Sequence, residues 1–230
     1  MTWRAGLAEV DPGFVEHAER FTGHPWRNGV LEPKVRAFVL LAVDAAATHR
    51  NAAGVREDIE LALRHGATPQ EIVEVLELTS TLGIHACNCG VPILLEELEA
   101  AGQGVDLDAP LTARQEEIKA RFTAKRGYWN DFWNGVLHLD AEFFAAYTDF
   151  SAHAWEHGTL EPKVRELIYT AFDASATHMF EPGLRQHIRN AIGYGATKEE
   201  IMEVFELASS AGLGAFALGA PPLGEALAER

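Results

Sequence analysis

Leu31–Arg36 reads LEPKVR, and Leu160–Arg165 reads LEPKVR again. The two starts are 129 positions apart (160 − 31), and holding that offset without gaps brings many more pairs into line. Asp44-Ala45 meets Asp173-Ala174, and Ala47-Thr48-His49 meets Ala176-Thr177-His178. Gly66-Ala67-Thr68 meets Gly195-Ala196-Thr197, and Glu74-Val75 meets Glu203-Val204. Upstream, Phe14, Phe21, His24 and Trp26 meet Phe143, Phe150, His153 and Trp155. Identity this frequent at one fixed offset marks a duplication. Two long repeats are too few for a solenoid. They predict two copies of one unit about a pseudo-two-fold axis, residues 1–104 and 105–230, the second including a connecting helix over Thr112–Lys125.

Each copy reads as helices. Pro33 and Pro162 suit a first helical turn, where the missing N–H would be unpaired anyway. The run from Val35 to about Thr48 is apolar on most faces, so that helix is expected at the centre. A second helix starts near Gly54, with Val55, Ile59, Ala62 and Leu63 at helical spacing, and stops at Gly66 or Gly195. Thr68-Pro69-Gln70-Glu71 and Thr197-Lys198-Glu199-Glu200 are capping boxes that open a third. A last helix is expected after Pro92 or Pro222. No stretch alternates with period two, so the fold class is all-α. The aromatic segment GYWNDFWNG (Gly127–Gly135) is expected in the core, or against the other repeat or another subunit.

The chain carries 34 acidic and 19 basic residues, a formal net charge of −15. Such a surface repels nucleic acid and anionic membranes, so neither is expected as a partner. No run of about 18 apolar residues stands out, so no membrane span is expected. Two cysteines make no disulfide framework, and the N-terminus has no signal-like apolar core. These readings point to a cytoplasmic protein.

Both cysteines lie in HACNC (His85–Cys89). Cys87 and Cys89, two apart, point to different sides of a helix, whereas His85 and Cys89, four apart, share a face. The latter could form a Cys–His pair, a pocket wall or half of a metal site. Small thiols packed between helices are the commoner outcome, and no full metal set is visible.

The pattern PK-x-R, then GAT-x-x-EI-x-EV about thirty residues later, then a small-residue segment with Gly and Pro, resembles the carboxymuconolactone decarboxylase superfamily, which includes the alkylhydroperoxidase D-like proteins. The resemblance covers both copies. It implies an all-helical unit that assembles as homo-oligomers, here a trimer of double units or a dimer. Its peroxidase branch carries Cys-x-x-Cys-x-x-x-His on the second helix. The matching positions are Phe180, Gly183 and His187 in copy two, and Asn51, Gly54 and Asp58 in copy one. Neither copy has a thiol there. HACNC falls near the end of the third helix, and its counterpart GAFAL (Gly214–Leu218) has neither thiol nor imidazole.

The decarboxylase branch implies acid–base chemistry without cofactor on a small carboxylate or lactone. That chemistry needs a proton donor or acceptor and a cationic place for the carboxylate. His187 sits at the family's histidine position and is the first candidate for proton transfer. Glu166 faces Ala37 in copy one, as His187 faces Asp58, so the working site is expected mainly on copy two. His178 is a secondary catalytic candidate, with helix capping as its alternative. Glu203, amid apolar neighbours, could hold a proton, or else pair with an arginine across the repeat interface. Arg185 could bind a substrate carboxylate, although its match with Arg56 hints at a surface ion pair. Trp155, Tyr169, His85 and Cys89 are candidates for the pocket wall. The rival readings are a thiol peroxidase or reductase using Cys87 and Cys89, and a non-enzymatic helical oligomer that binds a ligand.

Overall fold

The computed structural model describes residues 11–228, and every regular element in them is helical. Repeat one contains α1 (Pro12–Thr22), α2 (His24–Asn28), α3 (Pro33–Ala45), α4 (Ala52–Arg64), α5 (Pro69–Ser80), a 3₁₀ turn (Thr81–Ile84) and α6 (His85–Ala100). Repeat two contains α7 (Ala113–Arg126), α8 (Trp133–Leu139), α9 (Ala141–His157), α10 (Pro162–Ala174), α11 (Glu181–Gly193), α12 (Lys198–Ser209), a second 3₁₀ turn (Ser210–Leu213) and α13 (Gly214–Ala228).

The boundaries follow local chemistry. Pro33 and Pro162 occupy first turns of α3 and α10. Thr68 and Thr197 cap α5 and α12 in complete capping boxes with Glu71 and Glu200. Gly66 and Gly195 adopt positive φ (82° and 86°), a conformation glycine enters without a Cβ penalty.

α3 and α10 pack together at the centre, and two of the apolar clusters are shared by both repeats. One apolar cluster joins Phe38, Leu41 and Ala42 to Ile168, Tyr169 and Phe172. Another joins Val35, Val39 and Val43 to Leu167, Ala171 and Leu207. The pseudo-axis passes between the hydroxyls of Thr48 and Thr177, equivalent residues 3.5 Å apart.

Two reciprocal carboxylate clamps lock this arrangement. Glu203 accepts from the backbone N–H of Val30 (2.5 Å) and Leu31 (2.8 Å) and from Arg36 Nε (2.5 Å). Glu74 accepts from Thr159 (2.5 Å), Leu160 (3.0 Å) and Arg165 Nε (2.7 Å). Each carboxylate of one repeat thus caps the chain ahead of the other repeat's central helix. Gly29 and Gly158 make room: a Cβ at either would fall within 2.2 Å of the clamp's carboxylate. Glu203 is therefore not a proton carrier in a pocket, because its oxygens are committed across the repeat interface.

The last helices depart from expectation. They start at His85 and Gly214, and Pro92, Pro221 and Pro222 lie inside them. HACNC accordingly opens α6 rather than closing the third helix. These prolines sit on exposed stretches, where water can satisfy the carbonyl left without an N–H. The 3₁₀ turns carry the preceding helix straight into the next. The resulting rods, Pro69–Ala100 and Lys198–Ala226, are long and apolar enough to cross a membrane by length and composition alone, a test that core helices of globular proteins also pass. The aromatic segment packs as a third cluster, in which Phe122, Trp133 and Phe144 meet Ile84, Cys87 and Val91 from repeat one.

Candidate active site

Glu166, Tyr169 and Asp173 sit at i, i+3 and i+7 on α10, one stripe facing α11. On α11, Gly183, His187 and Ala191 form the opposing buried stripe. This spacing brings the His187 Nδ1 to 2.6 Å from Glu166 Oε2. Asn190 donates to the other carboxylate oxygen at 3.1 Å. The imidazole stacks on the Tyr169 ring, with centroids 4.4 Å apart and planes 19° apart. With Nδ1 engaged by Glu166, Nε2 is the nitrogen left for a substrate.

His187 lines a small cavity of about 30 Å³. Tyr169, Phe172, Phe180 and Gly183 form one wall, and Phe122, Arg126, Tyr128 and Trp133 form another. Thr81, Ile84, His85 and Asn88 of repeat one also line the cavity. The site is thus built by both copies, with HACNC supplying part of its wall.

Arg126 is the cation in this cavity. It is 8% exposed, and its Nη1 donates to Ser151 O (3.1 Å) and Tyr169 Oη (3.4 Å). Its Nε has no partner, and it makes no ion pair among the described residues. Burial opposes its charge, but the nearby phenols of Tyr169, Tyr128 and Tyr147 and the carboxylate of Glu166 outweigh that and raise its pKa. Burial pushes the Tyr128 phenol up to about 12 and raises Tyr147 as well. A buried guanidinium with a spare N–H and no counterion suits an anionic ligand.

A second polar group lies beside the cavity. His85 Nδ1 and His178 Nε2 are 2.6 Å apart, and each is 3.8 Å from Asp173 Oδ1. Burial, helped by nearby His178 and His187, lowers the His85 pKa to about 3. Burial also lowers His178. Desolvation lifts the Asp173 carboxyl to about 7, against the pull of His187 and with a push from Glu166.

The sequence candidates scatter around this geometry. His187, Glu166, Tyr169 and His85 come together. His178 stands one layer behind His85, in contact with it. Trp155 is also one layer back, its Nε1 donating to Tyr169 Oη at 3.2 Å and its ring parallel to the tyrosine. Arg185 is exposed and paired with Glu181 one turn away, so it binds no carboxylate in the cavity. Cys89 is exposed and outside the cavity wall, while Cys87 is half-buried against the aromatic cluster. Two residues of this geometry are not among the sequence candidates. Asp173 is visible in the sequence only as part of a repeated Asp-Ala pair, and Arg126 falls just past the expected connecting helix Thr112–Lys125.

Copy one has a wider hollow at the equivalent place, with Ala37 and Asp58 where copy two has Glu166 and His187. This hollow is about 500 Å³, lined by Trp26, Asp44, Gly54 and Asp58 among others. Burial, then the charge and hydrogen bond of Asp44, push Asp58 up to about 8. Folded Asp58 therefore keeps its proton while the unfolded chain loses it above about pH 4. The unfolded state binds fewer protons through this window, so stability falls as pH rises toward 8. Asp58→Asn copies the protonated form. Its stability advantage over wild type, read from urea midpoints, is expected to widen by about 3–4 kcal/mol between pH 5 and pH 8. Parallel curves for the two proteins would refute this.

The family model described as the carboxymuconolactone decarboxylase family matches residues 141–220. No curated protein matches the chain. Among solved structures, the chain is similar to a Burkholderia xenovorans protein provisionally named a gamma-carboxymuconolactone decarboxylase subunit. Identity is 49% and the TM-score 0.97, over 100% of this chain and 92% of that one.

Proposed function

We propose, for a chain that belongs to the carboxymuconolactone decarboxylase family, a decarboxylase-like lyase that works by acid–base chemistry on a small carboxylate or lactone. The observation that carries this reading is the buried, counterion-free Arg126 lining the same cavity as the His187–Glu166 pair.

Arg126 receives an anionic oxygen of the substrate. As the C–C bond to the departing CO₂ breaks, the electron pair stays on the carbon and spreads to the conjugated carbonyl oxygen. Protonated His187 then delivers the Nε2 proton to that carbon, and water later restores it. Glu166 fixes the ring through Nδ1 and stabilises the imidazolium while it carries charge. The aromatic walls exclude water and so strengthen the Arg126 contact.

The assay is CO₂ release from a panel of small lactone acids by wild type and by His187→Gln. Release by wild type that is lost in the variant is the expected result. Undiminished release by the variant overturns the role of His187.

The same proposal includes a homo-oligomer in a cytoplasmic setting. Ile93 and Leu94 on α6 and Leu218 and Leu223 on α13 are 47–81% exposed. Further copies, as a trimer of double units or a dimer, would cover these faces. Mass measurement in solution checks it, and a monomer at micromolar concentration would refute it.

A further inference from the structure

We propose that His85 Nδ1, His178 Nε2 and the Asp173 carboxylate form a binding site for a divalent first-row transition-metal ion. The three ligand atoms lie within 4.8 Å of one another. Their separations are 2.6, 3.8 and 3.8 Å. The point equidistant from the corners of that triangle lies about 2.0 Å from each, which is the bond length zinc makes to imidazole nitrogen and carboxylate oxygen. To reach a tetrahedral angle the two imidazole nitrogens, now 2.6 Å apart, would part by about 0.7 Å. Two imidazoles and a carboxylate form a donor set suited to zinc, iron, cobalt or nickel rather than calcium or magnesium.

Burial supports the assignment independently of distance. Asp173 is 0% exposed, and neither carboxylate oxygen has a hydrogen-bond partner. A buried carboxylate without donors is costly, and a cation between it and the histidines would compensate it. Gly183 contributes space, since a Cβ there would fall 2.3 Å from Asp173 Oδ2. His85 also lines the cavity, so one ligand of the ion is shared with the wall of the candidate active site.

The duplication supplies an internal contrast. Copy one retains Asp44 and His49, with His49 Nε2 3.2 Å from Asp44 Oδ1. The position equivalent to His85 is Gly214, so the third ligand is missing there. One ion per chain is therefore expected. HACNC, which offers no reactive thiol to the cavity, acts through its histidine.

The test uses the full chain stripped with a chelator and titrated calorimetrically with Zn²⁺, then with Co²⁺ followed by visible absorbance. One equivalent should bind, with cobalt giving the intense bands of a low-coordinate site. His85→Gln, His178→Gln and Asp173→Asn should each weaken Zn²⁺ binding by at least about 10-fold. His187→Gln should bind as wild type, which separates this site from the His187–Glu166 pair. Circular dichroism confirms that each variant is folded, and any one folded ligand variant suffices. No stoichiometric binding by wild type, unchanged affinity in a folded ligand variant, or equal loss in His187→Gln overturns the site. These readouts are independent of CO₂ release, so failure here leaves the proposed reaction standing, and failure of the reaction leaves the site standing.

Discussion

Glu74→Ala and Glu203→Ala are each expected to lose about 3–5 kcal/mol of folding stability, the usual cost of stranding one partner of a buried ion pair. Removing Glu74 leaves Arg165, 5% exposed, with its Nε unpaired, and orphans the Thr159 and Leu160 amides. Removing Glu203 does the same to Arg36, Val30 and Leu31. Three donors per carboxylate explain why this loss should exceed that of any surface pair, such as Arg114–Glu142, for which about 0–1 kcal/mol is usual. Because both clamps hold the same interface, the double variant should fail to reach the native fold. Denaturant unfolding of each single variant decides the matter. A loss below about 1 kcal/mol in both would show that the interface holds without them.

His187→Gln is expected to lower turnover about 10²–10⁴-fold, the usual contribution of a positioned acid–base group. Glu166→Gln should lower it less than His187→Gln. The amide oxygen can still accept from Nδ1–H, so ring orientation survives, while the negative charge that steadies the imidazolium is lost. Glu166→Ala removes both and should approach the His187 variant. If Arg126 carries binding and His187 carries proton transfer, these losses fall on kcat and leave KM nearly unchanged. A rise in KM with constant kcat would instead make His187 a binding residue. The phenol of Tyr169 and the indole of Trp155 keep Arg126 and the imidazole in place, so denaturation midpoints must be compared before any kinetic loss is read as chemistry.

The candidate site was partly legible in the chain itself. The asymmetry between repeats picked out Glu166 and His187 together, because the other copy replaces both at once. Arg185 illustrates the limit of such reading. It lies two residues from His187, and helical geometry alone turns it to the opposite side, where it pairs with Glu181. Arg126 carries no local signature, since its function comes from a cavity assembled by α7, α10 and the start of α6. Pro92 misled the boundary of α6, because a proline in an exposed helix costs less than one against a packed neighbour.

What the sequence determined by itself is the duplication, the helical class, the capped starts of α5 and α12 and the absence of thiols at Phe180 and Gly183, for these depend on residue identity and spacing along one strand of chain. Tertiary structure decided between the two sequence readings of Glu203 in favour of the arginine pair across the repeats, joined there by the Val30 amide, and alone placed Arg126 and His187 on one cavity and His85 against His178 and Asp173. Those contacts join residues 61 (187 − 126) to 173 positions apart around a pseudo-two-fold axis, and no local periodicity records which side chains that axis will bring face to face.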